Sequence, residues 1–364
     1  MLLLEVVVAS KKMRSFAPGQ PGAADLHRIF YAAGFLSSAF AAEPALTLLL
    51  STAHMRAAAI LGLGCSLKNL QPFQTGEAGK EKAIEWRIGL PSDADQADVI
   101  LIFGGDGTIH RHLNQLVKLG LPVLVVPAGS GNDFARALGL RNVKDSIAAW
   151  RSFRAEQPRG AANVHVIDLG TITPLENPGE TELAAVSRNS VPGRKNYFCS
   201  VASIGLDSEV ARRANNLPRW LRGNGGYALS LAPALFRFAA LPMKIFAQER
   251  NEEWSLRSDQ PTTLAAFANS GIYGGGMKIA PRAKLDDGQL DVCVIAGMDP
   301  FKLACLFPTV YFGHHLDIRA VNYFQAARLR VETESPLDVY ADGEWVCRTP
   351  MEVAVEAGAL KVVV

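Results

Sequence analysis

Residues 98–140, DVILIFGGDGTIHRHLNQLVKLGLPVLVVPAGSGNDFARALGL, constrain the fold more than any other stretch of the chain. The apolar run 99–103 is short and continuous, as a strand buried on both faces requires. Gly104-Gly105-Asp106-Gly107-Thr108 interrupts it. Beyond that break Ile109, Leu113, Leu116 and Val117 recur at helical spacing, and Gly120 stands where a C-terminal cap would end the helix. A second apolar run, 123–126, leads into Pro127-Ala128-Gly129-Ser130-Gly131-Asn132-Asp133 and a short helical pattern ending near Gly139. Strand, glycine-rich loop and helix therefore occur twice in succession. Both loops lie at the C-terminal edge of their strands, which is where open α/β sheets bind ligands.

Glycines in such a loop let backbone N–H groups come close to a ligand. N–H groups at a helix N-terminus favour an anion, usually a phosphate. A tight strand-to-helix turn would explain one loop of this kind. Two in a row, carrying Asp106 and Asp133, favour a phosphate-binding edge. Asp106 is the odd member, because a carboxylate repels phosphate oxygens. It fits if it works through a metal ion, orients a hydroxyl or accepts a proton.

GGDGT followed by PAGSGNDFAR resembles the catalytic domain of the diacylglycerol kinase and lipid kinase superfamily, which includes bacterial soluble lipid kinases and sphingosine kinases. GGDG is shared with NAD kinases and phosphofructokinases, whereas PAGSGNDFAR is far more specific. Gly274-Gly275-Gly276 with Pro281, Asp286-Asp287-Gly288 and Asp342-Gly343-Glu344 also match, so the resemblance runs from Met55 to the C-terminus. It implies an NAD kinase/diacylglycerol kinase-like architecture. An N-terminal α/β domain with an open, mostly parallel sheet is expected over residues 55–158. A β-rich C-terminal domain follows over 161–358, and residues 359–364 are expected to return as a strand to the first domain.

The implied activity is ATP-dependent phosphorylation of a lipid hydroxyl, most readily that of diacylglycerol, with ATP and Mg²⁺ as cofactors. Gly104, Gly105, Asp106, Gly107, Thr108, Ser130, Asn132 and Asp133 would hold the nucleotide phosphates. Asp106 would organise the catalytic Mg²⁺ or polarise the hydroxyl. Asp286-Asp287-Gly288 read alone is a turn between strands. The resemblance makes it a second Mg²⁺ site, with the Asp287 carboxylate and the carbonyls of Lys284 and Gln289 as ligands, an all-oxygen set that suits this ion.

Asp342-Gly343-Glu344 read alone is a hairpin turn. In the resemblance it faces GGDGT across the cleft and supplies the base. Glu344 has the longer reach, while Asp342 is the better turn-former through bonds to its own backbone. Glu344 is therefore favoured, with Asp342 as the alternative. His110, His112, His314 and His315 could also accept a proton, but the sequence shows no partner for any of them and favours surface or helix-face positions.

The remaining chain is less explicit. Residues 1–54 carry no motif; an A-x-A sequence at 39–41 faintly resembles a signal-peptide site, but the bland reading is an over-extended start with Met55 as initiator. A chain starting at Met55 is accordingly expected to fold and keep its activity. The Asn-Pro loop that the family places after its first strand is replaced by Gly62-Leu63-Gly64-Cys65-Ser66-Leu67-Lys68-Asn69, and only a short segment, 89–97, precedes the central strand. Helical character returns at 143–153, a linker is expected at 157–160, and 174–195 reads as an exposed loop. Strands are expected at 164–169, 197–204, 243–248, 262–269, 289–296, 327–332, 337–340 and 351–355, with helices at 207–215 and 227–240. Residues 217–241 mix Arg219, Trp220, Arg222 and Arg237 with apolar side chains, a composition suited either to a membrane surface or to a helix packed on the sheet.

Five separated cysteines without CxxC spacing argue for a reducing compartment, and a formal net charge of +2 gives no case for nucleic acid. No apolar run approaches the roughly 18 residues of a membrane helix. The expected setting is cytoplasmic, peripherally associated with the membrane that holds the lipid substrate; a homodimer stays open. A soluble-substrate kinase of the NAD kinase type is the nearest rival, and PAGSGNDFAR argues against it. A non-catalytic lipid- or nucleotide-binding protein is the rival from another class.

Overall fold

The computed structural model describes residues 55–75, 84–156, 162–176, 192–216, 234–236, 238–248 and 253–364. Expectations for 1–54, for the linker at 157–160 and for most of 217–241 lie outside them. Residues Arg56–Val364 cluster as one compact unit.

The first half alternates β1 (Met55–Leu61), α1 (Leu67–Gln74), β2 (Ile84–Ile88), β3 (Val99–Gly104), α2 (Asp106–Leu119), β4 (Val123–Pro127), α3 (Asp133–Ala137) and α4 (Val143–Glu156). Strand β3 lies parallel between β1 and β4, with Ala57 opposite Val99 and Ile100 opposite Val123. Its residues Val99 to Phe103 are fully buried, which is why they read as an unbroken apolar run. Helix α2 buries Ile109, Leu113 and Leu116 and ends at Gly120, whose φ of 62° is the left-handed cap the spacing predicts. Helix α1 was not foreseen, because Pro72 inside it masks the helical pattern. It is held by packing: Trp150 of α4 donates its indole N–H to the Phe73 carbonyl at 2.9 Å.

The second half is β5 (Val164–Pro174), β6 (Asn196–Phe198), β7 (Val201–Gly205), α5 (Leu206–Asn216), β8 (Met243–Gln248), β9 (Ser255–Ser258), β10 (Thr262–Ala268), β11 (Leu290–Ala296), α6 (Pro300–Phe312), β12 (Val321–Ala326), β13 (Arg328–Thr333), β14 (Asp338–Ala341), β15 (Glu344–Arg348) and β16 (Met351–Val363). A six-stranded sheet runs β12-β11-β10-β7-β14-β15, and a ten-stranded sheet runs β2-β1-β3-β4-β16-β13-β8-β9, with β5 attached to β16 and β6 to β5. The two sheets enclose a core that includes Phe198, Ile204, Phe267, Val292, Leu329 and Val353. The fold is thus an N-terminal α/β domain with a mostly parallel sheet and a C-terminal antiparallel β-rich domain.

Three expectations need correction. The run 197–204 is two strands, not one: β6 and β7 belong to different sheets, and the chain crosses between them at Cys199-Ser200. The runs 351–355 and 360–364 are one strand, β16, interrupted by a bulge between Glu356 and Leu360. Its end does return to the first half, where Val362 pairs in parallel with Val123. Asp168 pins that bulge by accepting from Gly358 N–H at 2.8 Å while its other oxygen accepts from Gly288 N–H at 2.7 Å. Lastly, α6, β9 and β12 were not foreseen. Helix α6 carries Pro300 and Pro308 and is apolar on nearly every face, so it shows no amphipathic stripe to read.

Candidate active site

The C-terminal ends of β3 and β4 bring the two glycine-rich loops into backbone contact. A Cβ on Gly129 would lie 2.5 Å from the Gly105 Cα, so neither position has room for a side chain. Asn132 closes the second loop, with Oδ1 accepting from Gly129 N–H at 2.8 Å and Nδ2 donating to the Gly129 carbonyl at 2.7 Å. It does so from a left-handed φ of 56°, a conformation Asn tolerates better than most residues. Among the described residues the N–H groups of Gly107, Ser130 and Gly131 have no hydrogen-bond partner. They are left for an anion.

Asp106 opens α2 and spans the loops. Its two oxygens accept from the N–H groups of Asp133 and Phe134, each at 3.1 Å. Burial, with the Asp133 charge next, raises its carboxyl pKa to about 6 against the pull of those two bonds. Asp133 continues the chain of contacts into the second half: it accepts from Gly275 N–H at 2.8 Å and pairs with Arg136 at 2.6 Å. That bond gives the Gly274-Gly275-Gly276 turn a role, since all three glycines have positive φ.

The Asp342-Gly343-Glu344 turn meets α2 from the opposite side. Asp342 has a left-handed φ of 51° and a side chain only 2% exposed. Its carboxylate accepts from Ser200 N–H at 2.8 Å and Cys199 N–H at 2.9 Å, at the crossing between β6 and β7. His110 Nδ1 completes the set at 3.2 Å. Asp342 is therefore committed to holding the two halves together. Glu344 is exposed instead, and its Oε1 would lie 2.8 Å from a Cβ on Gly107, directly over the α2 N-terminus.

These groups line one cavity of about 560 Å³, shared by Gly105, Asp106, Gly107, Thr108, Ser130, Asp133, Asp342 and Glu344. Gly104 and Asn132 shape it from behind. Ser203, Asp207 and Tyr273 join the lining without any warning from the sequence; Ser203 Oγ donates to Asp207 at 2.6 Å and Tyr273 Oη to its other oxygen at 3.4 Å.

His110 corrects the expectation that the histidines lack partners. Burial disfavours its imidazolium, but the hydrogen bond and charge of Asp342 outweigh this and raise its pKa above the ordinary value. A raised folded-state pKa contributes stability that is full below the unfolded value near 6.5 and lost as pH rises through the folded one. The parent protein is expected to melt at lower temperature as pH climbs beyond that window. His110→Gln should lack the slope and cost about 1.5–3 kcal/mol at pH 6, the range for a charge-assisted bond. Thermal unfolding from pH 6 to 9 checks both.

Lys284, Asp287 and Gln289 lie away from this cavity. Asp287 Oδ1 accepts from Gln289 N–H at 3.1 Å and Oδ2 from Gln325 Nε2 at 3.4 Å, the geometry of a self-bonded turn. Burial raises the Asp287 pKa, with the Asp291 and Asp168 charges adding to it. Among the described residues no group of three or more His, Cys, Asp and Glu could hold a metal. The Asp287 carboxylate, with the Asp291 and Asp168 charges nearby, still suits a hard, largely hydrated cation.

Known proteins resemble this chain over most of its length. Residues 66–166 match the family described as "Diacylglycerol kinase catalytic domain", and residues 200–364 match "YegS C-terminal NAD kinase beta sandwich-like domain". A diacylglycerol kinase of Mycobacterium tuberculosis is 32% identical over 269 residues, covering 74% of this chain and 77% of that one. A diacylglycerol kinase of Bacillus subtilis is 25% identical over 259 residues, covering 70% and 74%. A crystal structure of a diacylglycerol kinase from Bacillus anthracis superposes with a TM-score of 0.56 at 18% identity, over 85% of this chain and 96% of that chain. That likeness concerns the fold.

Proposed function

Because the chain belongs to the diacylglycerol kinase family of lipid kinases, we propose that it transfers the γ-phosphoryl group of ATP to a lipid hydroxyl, with diacylglycerol as the first candidate. The observation that carries this reading is the placement of Glu344: a free carboxylate over the N-terminus of α2, facing unpaired N–H groups across one cavity. Those N–H groups and the α2 dipole would hold phosphate oxygens. Glu344 would take the proton of the lipid hydroxyl as its oxygen bonds to the γ-phosphorus and the bond to ADP breaks. Phosphoryl transfer otherwise asks mainly for positioning and charge neutralisation. Mg²⁺ carried with ATP would supply that neutralisation, and Asp106 would hold it.

A lipid acceptor is favoured by the family to which the chain belongs. A narrow apolar slot between α5, β10 and α6 is walled by Leu206, Val210, Leu264, Leu303, Leu306 and Val310, and it shares Asp207 and Tyr273 with the cavity. That slot, about 20 Å³, has room for about one water and not for an acyl chain, so the chains of a lipid acceptor would stay outside it. Labelled ATP with a panel of diacylglycerol, ceramide, sphingosine, phosphatidylglycerol and NAD tests the reading, and transfer to NAD alone would overturn it. No helix among the described residues is long and apolar enough to cross a membrane, so the lipid would be met at a surface.

If the Asp287 turn binds a second, structural Mg²⁺ through Asp287 and the Lys284 and Gln289 carbonyls, Asp287→Asn should raise several-fold the free Mg²⁺ needed for half-maximal activity. It should also lower thermal stability in Mg²⁺. A magnesium titration at saturating Mg·ATP decides, and superimposable curves for variant and parent would leave only the turn.

A further inference from the structure

Helix α6 buries Leu303, Leu306 and Val310 against the six-stranded sheet. Its opposite face carries Phe301, Cys305, Pro308 and Phe312, spaced four, three and four residues apart and so aligned on one side of the helix. All four are exposed, Phe301 by 72% and Phe312 by 70%. Phe236, itself 55% exposed, meets Phe301 edge to face with ring centroids 5.8 Å apart and widens the patch. Single exposed apolar residues are ordinary, but an uncharged stripe with an aromatic ring at each end marks a contact surface.

The C-terminal end of this helix separates two cavities. Tyr311 lines the catalytic one; Phe312 lines a second of about 640 Å³ on the other side. The ionisable side chains of that second cavity are Arg136, His165, Lys278, Lys284 and Asp286. Arg136 is paired with Asp133, and among the remaining side chains Lys278 and Lys284 outnumber Asp286. Lys278 is anchored beside the stripe, because its backbone N–H donates to the Val310 carbonyl at 3.1 Å. The carboxylates of this helix stand at or beyond its ends: Asp299 caps the N-terminus of α6 through Phe301 N–H at 2.9 Å, and Asp317 lies past its C-terminal end.

We propose that α6 and the adjoining basic cavity dock this protein onto an anionic phospholipid bilayer. The Phe301–Phe312 stripe enters the boundary between headgroups and acyl chains, and Lys278 takes headgroup phosphate beside it. Charge selects this occupant over a second copy of the chain, since a two-fold contact would set lysine against lysine. The placement also makes functional sense: a helix lying in the interface brings Tyr311, and with it the mouth of the catalytic cavity, to the surface where a lipid hydroxyl is presented. The inference thus rests on the lipid kinase reading for its purpose but not for its test.

Sedimentation with vesicles reads binding without catalysis. The full chain is expected to bind phosphatidylcholine vesicles containing phosphatidylglycerol at least tenfold more tightly than phosphatidylcholine alone, and to release them in high salt. Phe301→Ser with Phe312→Ser, and separately Lys278→Glu, should each weaken binding at least tenfold while leaving thermal unfolding and phosphorylation of dispersed dioctanoylglycerol unchanged. Binding to vesicles without any kinase activity would sustain this surface and sink the lipid kinase reading. Equal binding by parent and variants would overturn the proposal, as would a dimer in solution that the phenylalanine substitutions dissociate.

Discussion

Glu344→Gln is expected to lower kcat by a factor on the order of 10²–10⁴, the range for removing a positioned base, while the KM for ATP changes little. The substitution keeps the shape and most of the hydrogen bonding of the side chain but removes the proton acceptor. Because the Glu344 side chain is exposed, the variant should melt like the parent. Asp342→Asn provides the contrast. Its carboxylate accepts from Cys199, Ser200 and His110 and is almost completely buried, so the amide must turn a donor toward a donor. It should lose stability, on the order of 1–3 kcal/mol for an unsatisfied buried group, together with activity. A folded Asp342→Asn that is inactive, beside a Glu344→Gln that keeps most of its turnover, would reverse the assignment of the base.

Asp106→Asn is expected to cost on the order of 10²–10⁴ in kcat as well, since it removes the carboxylate that links the two glycine-rich loops. Its pH behaviour gives a second handle. A carboxyl raised to about 6 from 3.8 favours the protonated form in the ligand-free fold. Stability from this group is therefore full below about pH 4 and lost as pH rises through 6, by roughly 3 kcal/mol for a shift of about two units. Asp106→Asn cannot ionise, so its melting temperature should change less than the parent's between pH 5 and 7.5. The amide keeps an acceptor for only one of the Asp133 and Phe134 N–H groups, which sets a fixed offset at every pH. Turnover near the parent's would remove Asp106 from the mechanism, and equal pH slopes would remove the strained carboxylate.

Local chemistry made much of this protein legible in its sequence. Strands β3 and β4 are buried on both faces, so their apolar runs announce them, and the glycines between strand and helix stand where backbone contact leaves no space for a Cβ. The return of β16 to the first half, where Val362 pairs with Val123, was expected from the family resemblance and not from its own residues. Expectations failed wherever a distant contact overrode the local signal. Helix α1 survives an internal proline through its packing on Trp150, and α6 is too uniformly apolar to show a period.

The site divides in the same way. The residue types of the loops and the Asp342-Gly343-Glu344 turn pointed to phosphate chemistry, but the two carboxylates of that turn could not be told apart by spacing, since a left-handed Asp342 breaks strand alternation. The tertiary structure separates them by position, one buried and one exposed. The chain crosses from one sheet to the other at Cys199-Ser200, and there it presents two N–H groups that claim Asp342, with His110 arriving from α2. Sequence determined which groups this protein carries to its cleft; the fold decided which of them are occupied with holding it together and which, above all Glu344, are left free to react.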